Sequence, residues 1–267
     1  MKPIAELPED VRAGIRGVFL DIDDTLTTDG HLTAEAYAAL EDLHEAGLIV
    51  APITGRPAGW CDHIARMWPI DAVVGENGAF FFRYDHQQRR MHRRYFLDQA
   101  ERRANRDRLE SVKRLILSQL PGAAVSADQA YREADLAIDY CEDVAPLPDD
   151  DVQQIVKLFE EAGASAKISS IHVNGWFGAY DKLSMTRVMM RECFSVDLDA
   201  SRDSFIFIGD SPNDVPMFAY FPHSVGVANV ADFRTRLDSE PAYVAHARSG
   251  AGFAEVVDVL LSRRGLR

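Results

Sequence analysis

The run Val18-Phe19-Leu20-Asp21-Ile22-Asp23-Asp24-Thr25-Leu26-Thr27 carries an apolar, strand-type segment straight into three carboxylates and a hydroxyl. Clustered carboxylates repel one another and each resists losing water, so a buried strand end gains nothing from them alone. A divalent cation reverses that balance, because Mg²⁺ is a hard ion that takes carboxylate and carbonyl oxygens. A second acidic cluster lies far downstream, where Ser204-Phe205-Ile206-Phe207-Ile208 ends in Gly209-Asp210-Ser211-Pro212-Asn213-Asp214. Between the two, Leu48-Ile49-Val50-Ala51-Pro52-Ile53 leads into Thr54-Gly55-Arg56-Pro57, a strand that ends in a hydroxyl and then a glycine. Tyr180-Asp181-Lys182 adds a cation.

These groups lie far apart in the chain, so the fold must gather them. Thr33 can cap a helix with Tyr37, Leu40, Leu43 and His44 on one face, and Gly47 can end it. The strand through Ile53 follows, then a second helix over 58–67, then Ala72-Val73-Val74 leading to Gly75-Glu76-Asn77-Gly78-Ala79 and Phe80-Phe81-Phe82. Strands separated by helices of this length imply right-handed crossovers and a parallel sheet. Ligands bind such sheets at the carboxyl ends of the strands. Asp21, Thr54 and Asp210 all occupy expected carboxyl ends, so the three motifs converge on one edge.

The pattern then changes. His86 to Arg94 is basic and polar, with Arg83, Arg89, Arg90, Arg93 and Arg94 close together. The following helix, expected over 99–120, mixes Arg and Glu freely, which favours a solvated surface over a nucleic-acid patch. Strands over 123–126 and 136–141, a helix over 149–162 with acidic residues at its start, and strands over 166–171 and 172–178 make an α+β module. Alternation resumes after Lys182, with helices over 182–194 and 214–221, a strand over 224–228 and a last helix over 253–263. Residues 1–83 and 180–267 thus form one domain, and 84–179 a second inserted into it.

Asp-x-Asp-x-Thr at a strand end, the strand-borne Thr54-Gly55, the lysine at 182 and Gly-Asp-x-x-Asn-Asp stand in the order seen in the haloacid dehalogenase superfamily, which the chain resembles over nearly its whole length. The insertion between the second motif and the lysine, with Asn77-Gly78-Ala79, is similar to the type IIB, Cof-like branch of sugar-phosphate phosphatases. The resemblance implies a Rossmann-like, doubly wound α/β core with an inserted α+β cap that selects substrate. It implies Asp21 as nucleophile, Asp23 as general acid and base, Thr54 and Lys182 as phosphoryl-binding groups, and Mg²⁺ on Asp21, the Asp23 carbonyl and Asp210, supported by Asn213 and Asp214. Asp24 receives no part, and Leu183 departs from the glycine common after that lysine. A phosphomutase of the phosphomannomutase type shares this chemistry. A non-catalytic sugar-phosphate-binding regulator is the other reading, but every catalytic position holds a competent residue.

Substrate groups are sought around these residues. His172, Asn174 and Trp176 alternate along an expected strand and so share a face; imidazole, carboxamide and indole suit a sugar, and a half-buried strand with a packed tryptophan is the competing reading. Gly55, Arg56, Glu76 and Asn77 are candidates from the core side, Arg56 for a second anionic group. With 42 acidic against 29 basic residues the net charge is −13, which argues against nucleic acid or an anionic membrane as partner. Cys61, Cys141 and Cys193 are too few and too spread for a disulfide framework or a zinc site. The acidic N-terminus is unlike a signal peptide, and no apolar run approaches a membrane span, so a soluble, cytoplasmic protein acting on a small phosphorylated molecule is expected. Its oligomeric state is left open by the sequence.

Overall fold

A computed structural model gives the fold and describes residues 1–169 and 171–262. Six strands form a parallel sheet in the order Lys2–Pro3, Tyr243–Val244, Val225–Gly226, Phe205–Gly209, Gly17–Leu20, Ile49–Pro52. Strands covered on both faces need apolar side chains at every position, and Phe205–Gly209 and Gly17–Leu20 are buried throughout. Val18, Leu20, Ile206 and Ile208 pack into one layer with the helices Ala34–Glu45 and Ser249–Leu261. Phe19, Phe205 and Phe207 pack into the other, against Met185 and Met189 of helix Lys182–Phe194 and Phe218 of helix Val215–Tyr220. This is the doubly wound α/β arrangement expected.

Thr33 caps the first of these helices, its hydroxyl accepting from Ala36 N at 3.3 Å. The buried face is Ala36, Ala39, Leu40 and Leu43, whereas His44 is exposed and Tyr37 half-buried. The face is therefore turned from the one expected, and Ala36 on it meets Gly250 of the neighbouring helix Ser249–Leu261.

Val73–Gly75, Phe80–Asp85 and Arg90–Tyr95 form an antiparallel sheet that joins the parallel one through an Ile53–Val74 bridge. The strand Phe80–Asp85 runs through the expected division at residue 83. The basic segment, read only as polar surface, is the turn and second strand of this hairpin. Met91 and Tyr95 are half-buried against the core but Arg93 between them is exposed, so no clean period of two marks the strand Arg90–Tyr95 in the sequence. Its arginines are paired on the surface, Arg93 with Asp62 at 2.5 Å and Arg94 with Glu192 at 3.4 Å.

The inserted cap holds a four-stranded antiparallel sheet ordered Ala124–Val125, Asp135–Asp139, His172–Trp176, Ser165–Ile168. Leu136, Ile138 and Val173 face the helices Gln99–Gln119 and Asp149–Glu161 and pack with Ile116, Ile155 and Phe159. The alternate positions face away from those helices. Of the expected elements, residue 170 of the strand over 166–171 and residue 263 of the last helix lie outside the described residues. Among the described residues no helix is long and apolar enough to cross a membrane.

Glu76, a substrate candidate in the sequence, joins the cap to the start of the core helix Ala58–Met67. Its Oε1 accepts from Ala58 N at 3.0 Å and Glu133 N at 2.8 Å, and its Oε2 from Ala134 N at 2.6 Å and Asp135 N at 3.1 Å. Burial pushes this carboxyl up to about 8, with Asp135 adding to the rise and Arg132 opposing it. A carboxamide keeps the shape but turns an N–H toward N–H donors. Glu76→Gln is expected to cost about 1–3 kcal/mol of stability, the penalty of stranding buried donors, read as a lowered midpoint in denaturant unfolding.

Candidate active site

Asp21 follows Gly17–Leu20 directly and its N–H donates to Ile208 O at 2.9 Å, which sets its side chain at the carboxyl edge between two central strands. Lys182, the first residue of its helix, is buried and its Nζ lies 2.7 Å from both Asp21 Oδ1 and Asp214 Oδ1. It approaches Asn213 Oδ1 at 3.5 Å. The helix can start there because Gly78 makes room: its φ is +108°, and a Cβ would stand 2.0 Å from Asp181 O. Gly78→Ala is expected to displace Lys182 and lower kcat at least tenfold, roughly the loss of one well-placed charge contact; unchanged kcat would show that the helix start tolerates the shift.

Asp214 turns its other oxygen to the backbone, accepting from Asp210 N at 3.1 Å and Ser211 N at 3.3 Å. Asp210 Oδ1 accepts from the Thr25 hydroxyl at 3.0 Å, and its Oδ2 from Asn229 Nδ2 at 3.3 Å. Asp21, Asp210 and Asp214 each offer one oxygen, all within 4.8 Å of one another. Burial pushes Asp21 up to about 8, with Lys182 opposing and Asp214 and Asp23 adding to the rise. Burial also holds Asp210 well above the usual carboxylate range, with Asp214 and Asp21 adding to it. Burial works against the Lys182 ammonium too, but Asp21 and Asp214 outweigh it and hold its pKa above the ordinary lysine value. Three buried carboxyls thus stand beside one ammonium that pairs with two of them, and the unbalanced acid suits a hard divalent cation with oxygen ligands.

Asp23 is not among those three oxygens by its side chain. Its carboxylate is held by Arg56, whose Nε donates at 3.0 Å to both oxygens and whose terminal nitrogen lies 2.6 Å from Oδ1. Arg56 also reaches the cap, 3.4 Å from Glu142 and 3.7 Å from Asp128. Thr54 is fully buried and its Oγ1 accepts from Arg56 N at 3.1 Å. Asn77 N donates to Thr54 O at 3.0 Å, which sets Asn77 beside Gly55.

From the cap, His172 and Asn174 face this cluster across a cavity of about 20 Å³ that Asp21, Asp23, Gly55 and Asn213 also line. His172 Nε2 lies 2.8 Å from Glu142 Oε2, and this contact holds the Glu142 carboxyl below its usual value. Asn174 Nδ2 donates to Asp135 Oδ2 at 2.9 Å. Trp176 shares their face but not their place. Two residues along a strand span about 6.6 Å, and the indole is buried against Tyr180, donating to Tyr180 O at 3.2 Å. The packed-tryptophan reading therefore describes it. Trp176→Ala is expected to cost about 3–5 kcal/mol of stability, as truncating a buried aromatic does, measured by thermal or denaturant unfolding.

Sequence reasoning placed Thr25 in the Asp-x-Asp-x-Thr motif but gave it no role, and it did not single out Asn229, Arg132, Asp128, Asp135 and Glu142. Asn229 had a signal, standing just past Val225–Gly226 on the edge that carries Asp210. Arg132, Asp128, Asp135 and Glu142 make contacts across the cap–core boundary, such as Arg132 donating to Gly55 O at 3.0 Å, and local pattern does not announce these.

A model of the haloacid dehalogenase-like hydrolases matches residues 18–119 and 192–235, more than half of the chain, and the chain belongs to that family. The matched stretches contain Asp21, Thr54 and the Asp210–Asp214 motif but not Lys182. No curated protein sequence matches this chain. Among solved structures, protein 0175 of Thermoplasma acidophilum is similar with a TM-score of 0.69 at 20% identity, over 92% of this chain and 98% of that one. The sucrose-phosphatase of Synechocystis sp. PCC6803, in complex with sucrose and phosphate, gives 0.61 at 16% over 92% and 98%. The C-terminal domain of C. albicans trehalose-6-phosphate phosphatase gives 0.69 at 12% over 98% and 99%. Identities this low speak for a shared fold.

Proposed function

We propose that the protein is a Mg²⁺-dependent phosphatase of a small phosphorylated metabolite, a sugar phosphate, acting through an aspartyl-phosphate. The carrying observation is the Asp21–Lys182–Asp214 cluster, buried at the carboxyl edge with Asp210 and Thr54 at the ends of neighbouring strands. A phosphate monoester repels nucleophiles, so a site that attacks it must pair its nucleophile with fixed positive charge. Asp21 attacks phosphorus, and the phosphoryl group passes from the ester oxygen to the carboxylate. Lys182 neutralises the carboxylate and the incoming oxygens, and the Thr54 hydroxyl donates to one of them. Asp23 exchanges Arg56 for the leaving oxygen, gives it a proton, and afterwards takes one from the water that releases phosphate.

Asp21, the Asp23 carbonyl and Asp210 would hold the cation, with Asn213 and Asp214 in support, and the Asp214 carboxylate offers an oxygen within 4.8 Å of those of Asp21 and Asp210. Bound there, Mg²⁺ supplies charge neutralisation at the phosphoryl oxygens. The cap, 84–179 as read from the sequence and 98–178 once the Phe80–Tyr95 hairpin is counted with the core, chooses the substrate; His172 and Asn174 from the cap, and Gly55, Arg56 and Asn77 from the core, contact it near the phosphoryl group. That similar folds include sucrose- and trehalose-phosphate phosphatases supports a sugar as leaving group. A panel of phosphorylated metabolites, scored for free inorganic phosphate with Mg²⁺ present, tests the reading. Release from at least one sugar phosphate is expected; phosphate moved between sugar positions without release would show a mutase instead.

A further inference from the structure

The cavity faced by His172 and Asn174, at about 20 Å³, has room for roughly one water and none for a sugar ring. Asp23 and Arg56 line that cavity and also a neighbouring cleft of about 540 Å³, within the range of small-molecule sites. Leu32, Trp60, His63, Trp68 and Tyr131 line the cleft. Trp60 is 42% exposed and Tyr131 59%, two of the five large apolar side chains left exposed among the described residues. The site is built: Arg56 lies over the Trp60 ring at 4.4 Å from its centroid and fixes the indole beside Asp23. Tyr131 comes from the cap and packs over Gly59, where a Cβ would meet its own at 2.9 Å.

Resting on the phosphatase reading, we propose that this aromatic cleft is the leaving-group subsite and that it takes a ring with an apolar face, a sugar pyranose. The ester oxygen then stays at Asp23 while the ring extends past Arg56 to stack on Trp60 and Tyr131. Aromatic faces bind the C–H face of a sugar ring or an aryl ring alike, and a ringless alcohol makes no such contact.

The test compares ring-bearing esters, glucose phosphate and phenyl phosphate, with ringless glycerol phosphate. Trp60→Ala and Tyr131→Ala are expected to raise KM for the ring-bearing esters about 5- to 10-fold, roughly one aromatic contact each, and to leave glycerol phosphate within about twofold. Equal loss on all three esters, or selective loss only in His172→Ala, overturns the proposal and places the ring against the cap strand. A binding arm separates the cleft from the chemistry. Two of the three tryptophans line the cleft, so the fluorescence of Asp21→Asn protein titrated with benzylphosphonate reports on it directly. A saturating response whose dissociation constant rises about 5- to 10-fold in Tyr131→Ala, which keeps both tryptophans as reporters, supports the subsite even where no ester is hydrolysed, an outcome that would defeat only the phosphatase reading. No response overturns the subsite.

Discussion

Asp21→Asn is expected to lower turnover more than about a thousandfold, the scale on which removal of a covalent nucleophile acts. The carboxamide is nearly isosteric and still accepts from Lys182, but it cannot form the acyl phosphate. The fold should persist, because Lys182 keeps its 2.7 Å contact with Asp214 and the backbone bond from Asp21 N to Ile208 O does not use the side chain. Steady-state kinetics on a clean preparation, with a melting curve beside it, reads both halves. Substantial residual turnover with an intact fold would remove Asp21 from the nucleophile's role.

Chelation should silence the enzyme as completely. Asp21, Asp210 and Asp214 converge within 4.8 Å, and burial already drives Asp21 and Asp210 toward their neutral forms. A bound cation lets all three ionise, so its removal takes away both the charge and the protonation state the chemistry needs. EDTA should abolish turnover and Mg²⁺ should restore it. Ca²⁺ should substitute poorly, because it prefers more ligands at longer distances. Mg²⁺ at a hundred times its dissociation constant should also add about 2.7 kcal/mol to folding stability, since the unfolded chain offers no such site. Full activity after thorough chelation would contradict the assignment.

The sequence made the edge of the sheet legible and the cap's grip on it illegible. Asp21, Thr54 and Asp210 could be placed because each ends a continuous apolar run, and in a parallel sheet the ends of such runs share one edge. Lys182 could be placed as a helix start, but not its 2.7 Å contacts, which depend on Gly78 admitting the Asp181 carbonyl. The alternation at 172, 174 and 176 correctly gave one face of one strand. It could not say how far along that face the cluster lies, so Trp176 joined the candidates while Trp60 did not. Glu76 read as a substrate candidate, and Arg132 and Asp135 as ordinary charged residues; only docking of the cap buries the three together.

Trapping of the phosphorylated enzyme bears most directly on the central claim. Protein turning over phenyl phosphate with Mg²⁺ present, quenched in acid and digested, should carry one phosphoryl group on the peptide containing Asp21, located by mass spectrometry and lost on mild alkaline treatment as an acyl phosphate is. The Asp21→Asn protein should carry none. Phosphate release by the wild type with no label on that peptide, or with the label on another residue, would contradict the account.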